Sequence, residues 1–302
     1  MKKKLETLEK IREEQYKKYL KMTAVGGFFL VVAIISLIFT FYIVMIIGVI
    51  IAVVMFALSY SEKIKFSNMY KDELMLVLLS DMYEAPTYNR KGSIPRSIID
   101  GTKLTSRADR FTGEDHITGK YKGVSFEVCD VRMEERRTTS NGKTTTTTYV
   151  TYFLGRWMIF KFNRVFKEEL RIVEKGLFGS SYVPRQQVKV ETESIEFNKK
   201  FKISATSEQY AFYQITPSML EKLQTLEKIF KGHISFLFRG NELHIAINDN
   251  KNTLEPKFNV KLTEESIKPH LIDIDIIASI INEFRLDSAK FQESDQWVML
   301  KW

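Results

Sequence analysis

Glu114, Asp115 and His116 stand side by side in RFTGEDHITGKYKGVSFEV (110–128), and Glu127 follows in the same stretch. An imidazole that titrates near neutrality beside carboxylates is the raw material of general acid–base catalysis, so Asp115, His116 and Glu127 are the set to test for an enzyme. The spacing works against it. No second histidine lies one helical turn away, and His233, His244 and His270 are scattered far along the chain. Catalysis needs convergence in space. The charges therefore read as solvent-facing or strand-bracing residues, with Gly113 and Gly119 serving turns. The chain lacks a phosphate-binding Gly-rich loop, a Gly-x-Ser-x-Gly elbow, a dinucleotide fingerprint and the kinase motif set. A single cysteine, Cys129, rules out an internal disulfide framework and a Cys-cluster metal site. No catalytic, cofactor-binding or metal-ligating residue is assigned, and no cofactor is implied.

The elements that must position such residues begin in a membrane. Met22 to Tyr60 is a run of 39 residues without Asp, Glu, Lys, Arg, His, Pro, Asn or Gln. One straight helix of that length would measure about 58 Å, against a hydrocarbon core of about 30 Å. Broken at Thr40, Phe41 and Tyr42, it gives two spans, about 22–40 and 43–60. Thr-Phe-Tyr holds none of the usual turn residues, although aromatic rings suit an interface. Lysines flank both ends, so the positive-inside rule places both termini in the cytoplasm of a two-pass cell-membrane protein. The competing arrangement is one tilted span with the C-terminal part outside. A cleavable signal is excluded by the length of the apolar run and by the charged residues before it. Small residues recur on helical faces, Gly26, Ala33, Ser36 and Thr40 in the first span, Gly48, Ala52 and Ser59 in the second, as helices in contact require. No ionisable residue lies within the spans, which argues against a channel or transporter.

Of the net charge of +8, residues 1–21 contribute +4, so the basic balance reflects the membrane flank and gives no ground for a nucleic-acid partner. Folding the chain back near residue 41 sets Leu8 opposite Leu74, Leu5 opposite Val77 and Lys10 opposite Asp72. Two placements of residues 1–21, a basic amphipathic helix, stay open. It forms an antiparallel, coiled-coil stalk with 61–83, or it lies flat on anionic headgroups.

Residues 61–83 continue as a helix leaving the membrane, ended by Pro86 and NRKGSIP. Residues 84–302 form a cytoplasmic domain, β-rich over 110–185 and mixed over 186–302. Val124, Phe126 and Val128 alternate as a strand does, and Asn141-Gly142 centres a two-residue hairpin turn in RTTSNGKTTTTTYVTYF. Thr216-Pro217 opens a helix with Leu220, Leu223 and Ile229 or Phe230 inward. HISFLFRGNELHIAI (233–247) reads as a hairpin turning at Gly240-Asn241. Ile267, Leu271, Ile274, Ala278 and Ile281 mark a closing helix, and Ile272, Ile276 and Ile280 form a second apolar stripe for the core or a partner. The fold class is α+β: an N-terminal helix, a transmembrane hairpin, a helical stalk, then a mainly antiparallel β-rich domain with packed helices.

Three segments, YKDELMLVLL, GEDHITGKYKGVSFEV and ETESIEFNKKFKISATSEQYAFYQITPSMLEKL, resemble in order a bacterial family known as domain of unknown function 3137, from the double span to about residue 286. The resemblance implies a two-pass membrane protein with a cytoplasmic α+β domain. It implies no activity, cofactor or catalytic residue, and it associates the family with LemA-type membrane proteins. The expected role is a non-enzymatic scaffold or interaction module whose partners are the lipid bilayer and a second copy or another membrane protein. The alternative is a membrane-associated enzyme with a site near Asp115, His116 and Glu127.

Overall fold

The structure is a computed structural model that describes residues 2–176, 183–230 and 232–292, so the last ten residues of the domain expected over 84–302 lie outside the described residues. The chain divides into two compact units, one of residues 1–78 with 254–272, the other of residues 79–253 with 273–302.

The first unit is built on two long helices, α1 (Lys2–Ile38) and α2 (Tyr42–Ser80), the second of which runs on past it. Both are long and apolar enough to cross a membrane. They run antiparallel because small residues let the backbones meet. Ala33 Cβ and Phe29 O lie 3.1 Å from where a Cβ on Gly48 would stand, and Thr23 Oγ1 is 2.7 Å from Ser59 Oγ. Gly26, Ala33, Ser36, Gly48, Ala52 and Ser59 are buried in this seam, while Phe28, Val31, Ile34 and Val53 face outward. Thr40 is not part of the seam. It is exposed and takes φ +62°, closing α1 with Thr40 N–H donating to Leu37 O and Phe41 N–H to Ser36 O. That is a Schellman cap with threonine where glycine usually sits, which is how the chain reverses without a turn residue.

Residues 2–21 are continuous with the apolar part of α1 and pair with α2 rather than splaying away. Leu5, Leu8, Phe66, Tyr70 and Leu74 are buried, and Lys4 meets Glu73 at 3.0 Å. Residues 254–272 clasp this pair. Phe258 sits edge-on to Tyr16 and Tyr19 and against Phe66, at centroid distances of 5.4, 5.6 and 5.5 Å. Arg12 donates to Phe258 O at 3.0 Å and Leu262 N–H donates to Glu9 at 2.7 Å. Tyr70 Oη lies 2.5 Å from His270 Nδ1, and the buried Lys71 pairs with Glu255.

The second unit is an antiparallel sheet of seven strands with helices on it. In chain order its elements are β1 (Glu84–Asn89), α3 (Arg96–Thr102), β2 (Arg110–Tyr121), β3 (Val124–Ser140), β4 (Thr145–Glu174), β5 (Val188–Val190), α4 (Ile195–Lys200), β6 (Phe201–Ala205), α5 (Glu208–Gln214), α6 (Pro217–Ile229) and β7 (His233–Asn248). Helix α7 (Lys268–Phe284) enters it from the first unit, and α8 (Ala289–Gln292) follows. Pro86 lies inside β1, which an edge strand with a bulge tolerates. The 30 residues of β4 organise everything else, pairing with β3 and then β6 along one edge and with β7 along the other.

That long edge overturns one turn expectation, and a second turn forms where expected with a longer loop. Residues 233–247 are not a hairpin. β7 is one strand, and Gly240, at φ +56°, sits opposite Phe166 in an irregular stretch where the side-chain phase shifts. The Asn141-Gly142 turn is a four-residue loop closing Ser140 on Thr145, because Asn141 Oδ1 accepts from the N–H groups of Lys143 and Thr144. Gly113 and Gly119 lie within β2, not in turns. A Cβ on Gly119 would meet Phe126 at 2.8 Å.

Both faces of the sheet are covered. Cys129, Val131, Met133, Phe153, Trp157 and Ala246 pack with Ile94, Ile99 and Leu104 on one. On the other, Phe126 meets Tyr83 at 4.8 Å, whose hydroxyl donates to Ile274 O, and Phe236 meets Phe284 at 5.8 Å. Thr216 caps α6 by accepting from Met219 N–H. Its buried face is Met219, Leu223 and Leu226, with Phe230 beyond; Ile229 is exposed. The second stripe on α7 is shorter than expected, since Ile280 belongs to the core and Ile272 is 64% exposed.

Candidate functional site

β2 carries a bulge between Glu114 and Ile117, and it separates the two neighbours that the sequence puts together. Asp115 takes φ +56°, its N–H donates to Arg90 O, and its carboxylate accepts from Tyr88 Oη at 2.5 Å. It is 2% exposed, so it is not a solvent-facing charge. His116 instead meets Glu127, Nε2 to Oε2 at 3.6 Å. The structure brings His116 and Glu127 together and leaves Asp115 in a different set.

His116 and Glu127 begin a row of polar side chains running across four strands. Lys161 Nζ on β4 is 3.0 Å from Glu127 and 3.8 Å from Glu242 on β7, and Glu242 lies 3.0 Å from His244 Nε2. His116 and Lys161 together hold the Glu127 carboxyl down at about 2. That makes Glu127 a weaker base than an ordinary glutamate. His244 and Lys161 likewise lower the Glu242 carboxyl. A cleft of about 420 Å³ lies beside Glu127 and Lys161, bordered by Ala85, Thr118 and Ser125.

Asp115 belongs with the second set. Asp130 on β3 pairs in register with Arg156 on β4, and both are buried. Thr253 donates to Asp130 through its N–H at 2.6 Å and its hydroxyl at 2.8 Å, while Arg156 lies 3.4 Å from both Asp249 and Asp273. Burial pushes the Asp130 carboxyl up to about 7; the Thr253 donors and Arg156 oppose this, and the charge of Asp115 adds to it. Asp130 thus keeps its proton to a much higher pH than an ordinary aspartate. At 4% exposure it has no access to substrate, and burial likewise pushes the neighbouring Cys129 thiol up to about 12.

None of Asp130, Arg156, Asp249, Thr253, Lys161 or Glu242 stood out in the sequence, and His244 did so only as a scattered histidine. One signal was available. Val124, Phe126 and Val128 face the core, so Asp130 occupies the next core-facing position of the same strand.

A comparison with curated proteins finds no match. Among solved structures, the chain is similar to one titled crystal structure of the mycobacterial trehalose monomycolate transport factor A, TtfA, with a TM-score of 0.37 and 9% identity over 66% of this chain and 88% of that one. A likeness at that score carries no argument here. Family comparison is more informative over the C-terminal half, although it leaves YKDELMLVLL and GEDHITGKYKGVSFEV outside the matched residues. Residues 151–286, from within β4 to just past α7, match the model of a family described as protein of unknown function (DUF3137), the family that the sequence motifs resemble.

Proposed function

We propose that the chain is a two-pass membrane protein whose helical hairpin tethers an α+β domain at the cytoplasmic face of a cell membrane, where the domain acts as an interaction module rather than an enzyme. The observation that carries the reading is the inside-out packing of α1 and α2. Small and hydroxyl side chains fill the seam, and large apolar ones such as Phe28, Ile34 and Val53 point outward. In water that surface would be costly at about 25 cal/mol per Å², whereas lipid welcomes it. Lys17, Lys18, Lys21, Lys63 and Lys65 flank the same end of both helices, which supports both termini lying inside. The remaining apolar stripe of α7 at Ile272 and Ile276 supports contact with a second copy or another membrane protein, a LemA-type protein by family association.

The enzyme reading rests on the cleft beside Glu127. Replacing His116 by Ala together with Glu127 by Gln separates the two readings, scored in cells where loss of the chain has a measurable phenotype. An interaction module keeps its function in the double variant at normal abundance. Loss of function with folding and abundance intact would establish a catalytic site there.

A further inference from the structure

The start of α6 and the connection from α7 to α8 border an open cavity of about 430 Å³ within the second unit. Lys222, Arg285 and Lys290 line it, together with the hydroxyl-bearing residues Thr216, Ser218 and Ser288, and no carboxylate among the described residues does. None of the three cations forms an ion pair among the described residues, whereas Lys161, Lys189 and Lys200 in the same unit each do. The walls are built rather than incidental. Phe291 packs on Phe162 at 5.2 Å and Phe166 at 6.1 Å, Arg164 donates to Lys290 O at 3.0 Å, and Gln292 donates to Leu286 O at 2.9 Å. Partial burial first, and then the charges of Arg164 and Lys222, make the Lys290 ammonium easier to deprotonate than usual, so these cations feel one another.

Like charges gathered at one cavity repel, modestly where water screens them, and an anion relieves that repulsion. The N-terminal turn of α6, a helix of 13 residues, adds its positive end to the same cavity. Met219 and Phe284 supply an apolar wall beside the cations. The volume exceeds what a bare phosphate needs and lies in the range of small-molecule sites. We propose that this cavity binds a phosphate monoester or diphosphate, its anion seated by Lys222, Arg285 and Lys290 and its remaining part laid against Met219 and Phe284. The phosphate has two sources, a soluble metabolite or a lipid headgroup. The site goes beyond the tethering role and does not depend on it.

The test uses the full chain in nanodiscs of zwitterionic lipid. In one arm, calorimetry follows binding of pyrophosphate and of glycerol 3-phosphate. In the other, discs containing phosphatidic acid are analysed by native mass spectrometry for retained lipid. Binding in the first arm assigns a soluble ligand, and binding in the second alone assigns a headgroup. In either case Lys222→Gln and Arg285→Gln each weaken binding at least about tenfold, the scale of one lost charge-assisted contact, while Lys199→Gln at an exposed site changes nothing. Lys222→Arg keeps the charge and retains binding, and this guards against misfolding as the cause of a loss. Without ligand, Lys222→Gln melts no lower than the parent, because it relieves crowding. No binding in either arm, or binding indifferent to Lys222 and Arg285, overturns the proposal.

Discussion

Replacing Asp130 by Asn should stabilise the protein, and by an amount that depends on pH. In the folded chain this carboxyl is pushed from its ordinary 3.8 up to about 7, chiefly by burial. A raised value means that the folded state holds the proton more tightly than the unfolded one. The favourable contribution is complete below the ordinary value and is lost as pH rises through about 7. Above that, the buried charge costs of the order of 4 kcal/mol, at about 1.4 kcal/mol per pKa unit. Asparagine removes the charge yet keeps an oxygen to accept from Thr253 N–H, now 2.6 Å from the carboxylate. Urea unfolding of parent and variant should differ by up to about 4 kcal/mol near pH 8.5 and by less than half of that near pH 5. The reasoning fails if the variant is less stable at high pH. That result would mean that Arg156 pairs with an ionised Asp130 strongly enough to overcome desolvation.

Three further outcomes follow from the packing. Cysteines at Thr23 and Ser59, whose oxygens are 2.7 Å apart, should form an intramolecular disulfide in intact membranes, with buried Cys129 silent; absence of the bond would break the register of α1 on α2. Phe258→Ala should cost about 3 to 5 kcal/mol by emptying its cage of Tyr16, Tyr19 and Phe66, read as faster proteolysis within residues 254–272; an unchanged cleavage rate would remove the clasp. Gly155→Ala would drive a methyl group to 2.0 Å from Ile247 O, so unfolding should come at least 1 kcal/mol or so earlier, and a neutral result would contradict the pairing of β4 with β7.

Parts of this fold are legible in the sequence because they rest on local rules. The uncharged run Met22–Tyr60 is long and apolar enough for two membrane-crossing helices, and Thr216-Pro217 has the chemistry of a helix start, with a cap donor found at Met219. What stays hidden depends on partners remote in sequence. Gly240-Asn241 between two apolar alternations satisfies every rule for a hairpin, yet β4 is long enough to pair with both halves of β7, and the glycine makes a bulge instead. Asp115 and His116 are neighbours in the chain, but the bulge in β2 sends them to different partners. The pairing of Asp130 with Arg156 exists only through the register of β3 on β4, which no spacing along the chain encodes. Phe258 looks like an ordinary loop aromatic until residues 254–272 are laid on α1 and α2.

The hairpin with both ends on the cytoplasmic side is the central claim, and topology reporters test it most directly. A fusion before Met1 and another after Trp302, each made with a cytoplasm-active fluorescent protein and with a periplasm-active phosphatase, should both give fluorescence and no phosphatase activity. Phosphatase activity from the C-terminal fusion, with fluorescence from the N-terminal one, would mean a single crossing and would contradict the account.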